Sequence, residues 1–484
     1  MKLKRFKKSL TPIHKPYNFQ AEAFEAIKDK EYFGVFHEQG LGKTKIAIDL
    51  ALHWLEKEEC DSVVFVTKKS LVENWKSEIL NHTSHFPIIF SPNKKKNYAS
   101  FHSAAYLFIC HYDLIRNDLE GFISFCKLRK IGMILDESVA IKNPQSQVSI
   151  SFHELSKHLI KRIIMTGTPV DNRPQDIWSQ VFFLDFGRSL GNSYSTFKDK
   201  YDLKKELSES SLIQLEYKKN LYELREKLAD FTLRETKETA KINLPNKEFR
   251  RIEVSMDERQ REIYEKVRKE LFVEIIKNGK LEIEEFDFVA VRLLRLIQVS
   301  SYPALFDESY SREAPKLTAL KELISEINDS EKIIIWTNYI KTSESLLKEL
   351  GSSAVLINGN LDLDIRNKNI NRFKTDEKVR FLIATYGTAK EGLTLTVANH
   401  AIFFERNFSL SDYLQAQDRI HRISQKKKSF IYNIYTKDSA EDWLEALVSA
   451  KESAAKFVQG DIDEDEFTKK IRYDYGDILE KILN

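Results

Sequence analysis

The sequence predicts an α/β protein made of two tandem parallel-sheet lobes with helical insertions between them. Three observations carry that prediction. The chain has 484 residues, more than one hydrophobic core usually serves. Short apolar, β-branched runs come in two separate series, each alternating with charged amphipathic segments, the pattern of a parallel sheet wrapped by helices. Between the series lie long charged segments with few glycines, which have the period of helices.

The first series is YFGVF (32–36), SVVFVT (62–67), AYLFICHY (105–112), IGMILDE (131–137) and KRIIMTG (161–167). The second is KIIIWTNY (332–339), SAVLINGN (353–360), VRFLIATY (379–386), HAIFFE (400–405) and SFIYNIYT (429–436). Between them, KKNLYELREKLADF and DERQREIYEKVRKELFVEII are the clearest helical stretches. The segment NLPNK, 243–247, has the chemistry of a linker, because Pro245 forbids a continuing helix. The expected division is therefore an N-terminal lobe over 1–243 with a helical insertion at about 185–235. A C-terminal lobe over 244–484 follows, with an insertion at about 251–305 and a short helical tail at about 440–484.

Composition narrows the class. Hydrophobic residues make up 42% and charged residues 31%, which fits a folded globular chain and not a disordered one. The 76 basic and 73 acidic residues leave only +3, so any nucleic-acid contact has to come from local patches. KLKRFKK at the N-terminus, Lys94–Lys96 and Lys426–Lys428 are such patches, and the simpler reading of each is a solvated surface run. Cys60, Cys110 and Cys126 show no CxxC spacing and read as reduced core residues. No apolar run is long enough to span a membrane, and no apolar stretch follows the basic N-terminus, so a cytoplasmic protein without a membrane partner is expected.

The chemistry concentrates in a few places. HEQGLGKT (37–44) follows an apolar strand and opens a helix, so its backbone amides and the helix N-terminus are set to receive an anion. In such a loop Lys43 reaches the β- and γ-phosphates and the Thr44 hydroxyl binds magnesium. IGMILDES ends a hydrophobic strand in Asp136 and Glu137, one placed to coordinate magnesium and the other to polarise water. QAQDRIHRISQ offers Gln415, Arg419 and Arg422, whose spacing predicts one face of a helix and whose guanidinium groups suit charge developing on a γ-phosphate.

Taken together, HEQGLGKT, KKSLVENW (68–75), DESVAIKN (136–143), MTGTPVDN (165–172), AKEGLTLTVA (389–398) and QAQDRIHRISQ (415–425) resemble motifs I, Ia, II, III, V and VI of superfamily-two helicases. More narrowly, the chain resembles the Swi/Snf-type DNA translocases. Asn74-Trp75, Ile141-Lys142-Asn143 and Ile423-Ser424-Gln425 carry that narrowing. The segment 231–264 is also similar to the family's stretch joining the lobes. The likeness extends over about residues 17–440.

The resemblance implies two RecA-like lobes with ATP in the cleft between them and magnesium as the metal. It gives Gln20 to adenine, Gly40, Gly42, Lys43 and Thr44 to the phosphates, and Asp136 and Glu137 to magnesium and water. Gln415, Arg419 and Arg422 match motif VI, the last two as arginine fingers. Thr166, Gly167 and Thr168, with Gly392 and Thr394, fall to coupling, and Lys69, Asn74, Tyr112 and Asn338 to DNA, a structural role being the alternative for Lys69 and Tyr112. Three positions depart from the pattern: Val139 stands where many relatives carry histidine, His37 where an acid is common, and Asp418 where glycine is usual.

The function expected from this is an ATP-dependent translocase that tracks the sugar-phosphate backbone of duplex, forked or branched DNA, where contacts carry affinity without sequence information. Only short segments flank the motifs, which leads us to expect a compact monomeric motor of bacterial or bacteriophage type serving replication, recombination or repair. The alternatives are a strand-separating fork or branch-migration helicase, an RNA helicase, and a clamp that binds ATP without hydrolysing it. No wedge hairpin for strand separation is identifiable, and a clamp is disfavoured by the intact acidic pair and both arginines.

Overall fold

The computed structural model describes residues 9–171, 173–201, 211–242, 244–277, 286–307, 309–389, 394–422 and 425–470. Gly392, the basic run at the N-terminus, and Ile423-Ser424 of the last motif lie outside them. The chain forms two compact units: one runs to Ile242 and takes in Ala454–Glu464, and the other continues from there to Ser453.

The first unit is built on β1 (Tyr32–Val35), β2 (Ser62–Thr67), β3 (Ile88–Ile89), β4 (Leu107–His111), β5 (Ile131–Asp136), β6 (Lys161–Met165) and β7 (Thr232–Leu233). Their order is β3-β4-β2-β5-β6-β1-β7, and every pairing is parallel. All residues of β2 and β6 are buried, as expected of central strands covered by helices on both faces. The register is what positions the site: Val35 pairs with Met165 and Met165 with Asp136, so β1, β6 and β5 end side by side. In an open parallel sheet, loops leaving neighbouring C-terminal strand ends share one crevice.

The second unit carries β8 (Lys247–Val254), β9 (Lys332–Thr337), β10 (Ala354–Ile357), β11 (Phe381–Thr385), β12 (Ala398–Phe403) and β13 (Ser429–Thr436), ordered β10-β11-β9-β12-β13-β8 and again all parallel. The two tandem parallel-sheet lobes are thus present, with every one of the ten apolar runs above on a strand. β3, β7 and β8 were not foreseen. β8 corrects the second helical insertion, expected from about 251: residues 251–254 extend a strand along the whole of β13, and helix starts only at Glu258. Its charged sequence KEFRRIEV suits an edge strand half open to solvent, and backbone pairing with β13 decides its conformation.

Helices Tyr194–Lys200 and Ser211–Ala229 fill the first expected insertion, and Glu258–Lys277 and Phe286–Ser301 the second. Helices Ala440–Gln459 and Glu464–Lys470 form the described part of the tail. Cys60 and Cys110 are buried, Cys126 is partly so, and all are free thiols; burial pushes Cys60 and Cys126 up to about 12. Lys427 pairs with Glu331 and Lys428 with Glu248, which makes that triplet an ordinary solvated surface. No helix among the described residues is long and apolar enough to cross a membrane.

Candidate nucleotide site and nucleic-acid face

β1 runs into the loop 36–42, and helix Lys43–Glu56 starts immediately after it. Gly40 (φ +86°) and Gly42 (φ +68°) hold left-handed backbone that only glycine adopts without penalty. A side chain at Gly42 would also strike the Gln20 amide. Lys43, 9% exposed, folds back across the loop, where its Nζ donates to the carbonyls of His37 (2.8 Å) and Glu38 (3.2 Å). Phosphate oxygens are better partners for an ammonium than neutral carbonyls, so this lysine is already seated where an anion would take it over.

Gln20 clamps the loop from outside. Its Oε1 accepts the Tyr17 amide at 2.9 Å and its Nε2 donates to Leu41 O at 3.2 Å, tying helix Asn18–Ile27 to the glycine turn. On the opposite side the backbone pairing of β7 continues: Leu233 O accepts from Phe36 and Glu235 O from Glu38. Lys237 then pairs with the Glu38 carboxylate at 3.0 Å.

The acidic pair is oriented by its neighbours. Trp75, buried and stacked on Phe65, donates Nε1–H to Asp136 Oδ2 at 2.7 Å, and Thr67 Oγ1 lies 3.3 Å from the same oxygen. With Oδ2 held, Oδ1 is the oxygen free to turn toward a metal. Burial, with the neighbouring Glu137 charge, pushes the Asp136 carboxyl up to about 6. Glu137 has φ +55°, unusual for a residue with a side chain, and its Oε2 is buried without a hydrogen-bond partner among the described residues.

A buried carboxylate oxygen lacking a donor fits a metal-bound water or a hydrated cation. No cluster of three or more His, Cys, Asp or Glu side chains that could hold a metal is present among the described residues. Tyr112 corrects one expectation: it is 6% exposed and donates to the Asp136 carbonyl at 2.8 Å, so it supports the acidic pair and does not face a nucleic acid.

The turn Thr166-Gly167-Thr168 leaves β6 and packs on the loop; a Cβ at Gly167 would lie 2.8 Å from Gln39 Cγ. Thr166 is fully buried, its Oγ1 accepts the Thr168 amide at 3.1 Å, and Thr168 Oγ1 is buried with no partner among the described residues. Val139 has no polar group with which to link the acidic pair to this turn. The structure supplies another route: Ser138 Oγ donates to Gln180 Oε1 at 2.7 Å, and Gln180 Nε2 donates to the carbonyls of Pro169 and Asp176, both at 2.8 Å. Ser138 and Gln180 are both fully buried. Neither residue type announces itself in the sequence, because the partners are far apart along the chain.

In the second unit, helix Leu410–Gln417 carries Gln415, buried to 2%. It stops before the arginines, which corrects the single helical face: beyond Gln417 the amides of Arg419 and Ile420 bond three residues back, tightening the chain into turns. Arg419 is buried at 3%, and Arg422 reaches the Asp418 carbonyl (3.0 Å) and Thr394 Oγ1 (2.8 Å). Two residues assigned separately, Thr394 and Arg422, therefore meet. The Asp418 carboxylate also meets Lys247 at 3.5 Å, a contact that glycine could not make.

Lys69 and Asn74 are exposed beyond β2, and Asn338 is half-exposed after β9. Sequence reasoning missed the residue that fixes the last of these loops. Glu405, fully buried, accepts the amides of Asn338 (2.9 Å) and Tyr339 (3.2 Å) and the Thr342 hydroxyl (2.9 Å). Burial pushes its carboxyl up to about 7.

Comparison with known proteins identifies the family. The SNF2-related domain matches residues 34–303, and the helicase conserved C-terminal domain matches 315–424. An uncharacterized ATP-dependent helicase of Mycoplasma genitalium is 25% identical over 89% of this chain, which spans 40% of that protein. Transcription regulatory protein SNF2 of Saccharomyces cerevisiae is 24% identical over 84% of the chain and 25% of its own length. Among solved structures, the Sulfolobus solfataricus SWI2/SNF2 ATPase core in complex with dsDNA is 22% identical, covers 97% of this chain and 99% of its own, and has a TM-score of 0.43. The chain thus spans less than half the length of these curated relatives, and it belongs to the SNF2-related family.

Proposed function

We propose that the chain is an ATP-dependent motor that hydrolyses ATP to move along duplex DNA. One observation supports this most strongly: β1, β6 and β5 end level with one another, so HEQGLGKT, the Thr166–Thr168 turn and Asp136-Glu137 share one crevice. Relatives named as ATP-dependent helicases support the same reading.

In this reading the amides of the loop and of the helix beginning at Lys43 receive the triphosphate, and Lys43 exchanges its two carbonyls for phosphate oxygens. Thr44 and Asp136 would hold magnesium, which would screen phosphate charge. Glu137, with an oxygen lacking a donor, orients the attacking water. Gln20 positions the loop and borders the adenine. Arg419 and Arg422 offset charge developing on the γ-phosphate. Ser138 and Gln180 pass the state of the acidic pair to the Thr166–Thr168 turn, and Thr394 senses it through Arg422. Lys69, Asn74 and Asn338 contact the DNA backbone, and Gly392 belongs to the same coupling motif as Thr394.

The test is ATP hydrolysis measured in parallel without nucleic acid and with duplex DNA, single-stranded DNA, forked DNA and RNA, using Lys43→Ala as the blank. Strong stimulation by duplex DNA, absent in the Lys43→Ala protein, is expected. Stimulation confined to forks or single strands would shift the reading to a strand-separating helicase, and stimulation by RNA alone would remove DNA as the track.

A further inference from the structure

The helix Ala440–Gln459 ends in the sequence VQGD, outside both family-matched regions. Gly460 has φ +82°, its amide bonds Phe457 O (3.0 Å), and the Asp461 amide bonds Lys456 O (2.8 Å). This pair of bonds is the Schellman stop, in which a left-handed residue, most readily glycine, reverses the chain just past the helix. The reversal delivers Asp461 to Arg234, in a two-pronged ion pair: Nε to Oδ1 at 2.9 Å and Nη2 to Oδ2 at 2.7 Å. The segment is seated around that pair, with Phe457 buried edge-on to Tyr222 and the Ile462 carbonyl accepting from Arg225 at 3.2 Å.

The third nitrogen of Arg234 does something different. Nη1 donates to Phe36 O and to Gly167 O, at 2.5 and 3.1 Å. Phe36 is the first residue of the phosphate loop, and Gly167 is the centre of the turn packed on it. His37, next in the loop, offers Arg234 no negative charge, and burial together with Lys43 and Arg234 drives its ring down to about 3. The carboxylate facing Arg234 comes from Asp461.

We propose that Asp461 is a positioning residue for the nucleotide site. By holding two corners of the Arg234 guanidinium, it fixes the third on the carbonyls that join the phosphate loop to the Thr166–Thr168 turn. A planar fork bound in two-pronged fashion has one orientation available, and this is what makes the remote carboxylate matter to the loop. The proposal rests on the ATP-site reading and extends it to a segment near the C-terminus.

The full chain carrying Asp461→Asn tests it, with Asp461→Glu as the conservative variant and Lys43→Ala in parallel. Initial rates across ATP concentrations separate KM from kcat, and thermal melting reports the fold. Asp461→Asn is expected to raise KM for ATP about ten-fold with kcat within about two-fold, the pattern of lost binding geometry; Asp461→Glu should return KM most of the way. An Asp461→Asn protein with wild-type KM overturns the proposal. Should it melt early, the carboxylate decides: KM recovered by Asp461→Glu supports positioning, and equal KM in the Asn and Glu variants contradicts it. If Lys43→Ala itself hydrolyses ATP normally, the ATP-site reading fails first; if Lys43→Ala is dead and Asp461→Asn is normal, only the role of Asp461 fails.

Discussion

The two sheets have the same parallel construction but load their strand ends differently. In the first unit three adjacent strands end level, and the residues past them are a lysine across a glycine turn, two acids and a buried threonine turn, each held by a named neighbour. In the second unit the working residues are two arginines on turns beyond a short helix and one buried acid pinning a loop. In the proposed reading the first unit is the binding site, already assembled by these contacts. The second holds its charged groups on short turns, with Arg419 and Glu405 buried. The proposed function therefore assigns binding to the first copy of the architecture and switching to the second.

Mutations that treat the units differently test that separation, and the largest effect belongs to the first. Glu137→Gln should bind ATP with near-normal affinity and lose turnover by about 10³–10⁴, the worth of a positioned acid or base; equilibrium binding of a fluorescent nucleotide beside steady-state hydrolysis reads both. Arg422→Ala should retain ATP and DNA binding while hydrolysis falls by about 10³. Near-normal turnover in that variant would mean that the second unit's arginines do not serve the reaction.

A smaller effect is expected at the buried relay. Gln180→Leu removes the acceptor for Ser138 and the donors to Pro169 and Asp176. Basal hydrolysis should stay within about three-fold while DNA stimulation drops about five- to ten-fold, the size of a modest coupling energy. Equal losses in both rates would point to a structural role alone.

The smallest effect is one of stability. The Asp136 carboxyl rises from its ordinary 3.8 to about 6, mainly through burial. Between those values the folded chain holds a proton that the unfolded chain has released, so this group's contribution falls as pH rises through the window and is fully unfavourable above 6. Asp136→Asn keeps an acceptor for Trp75 without the charge. The ligand-free variant should melt a few degrees higher than the parent at pH 8, with the difference vanishing below pH 4, although its turnover is lost. A functional site that is less stable than its neutral counterpart is the expected trade.

What the sequence made legible follows from the range of the interactions involved. The apolar runs on β1, β2, β4, β5 and β6 and on β9 to β13 could be read because burial on both faces leaves a local mark. The glycine turn was equally plain, because its backbone needs those residues at those places. Asp136 and Glu137 could be placed by their position at a strand end. Long-range partners left no such mark: Glu405 under the Asn338 loop, Gln180 beside Ser138, and Asp461 on Arg234 are each joined across dozens of residues or more. β8 was misread because its charged sequence owes its conformation to β13. Arg419 and Arg422 were put on a helix because spacing alone does not show where a helix ends, and Tyr112 stood between a DNA contact and a structural role because its hydroxyl gives no hint of the Asp136 carbonyl that it meets.

Movement along duplex DNA driven by hydrolysis is read from displacement of a labelled third strand from a triplex. With ATP and magnesium, the parent chain should strip the third strand from a duplex track without separating the duplex, and Glu137→Gln should not. Duplex-stimulated hydrolysis with no displacement, or equal displacement by Glu137→Gln, would contradict the account.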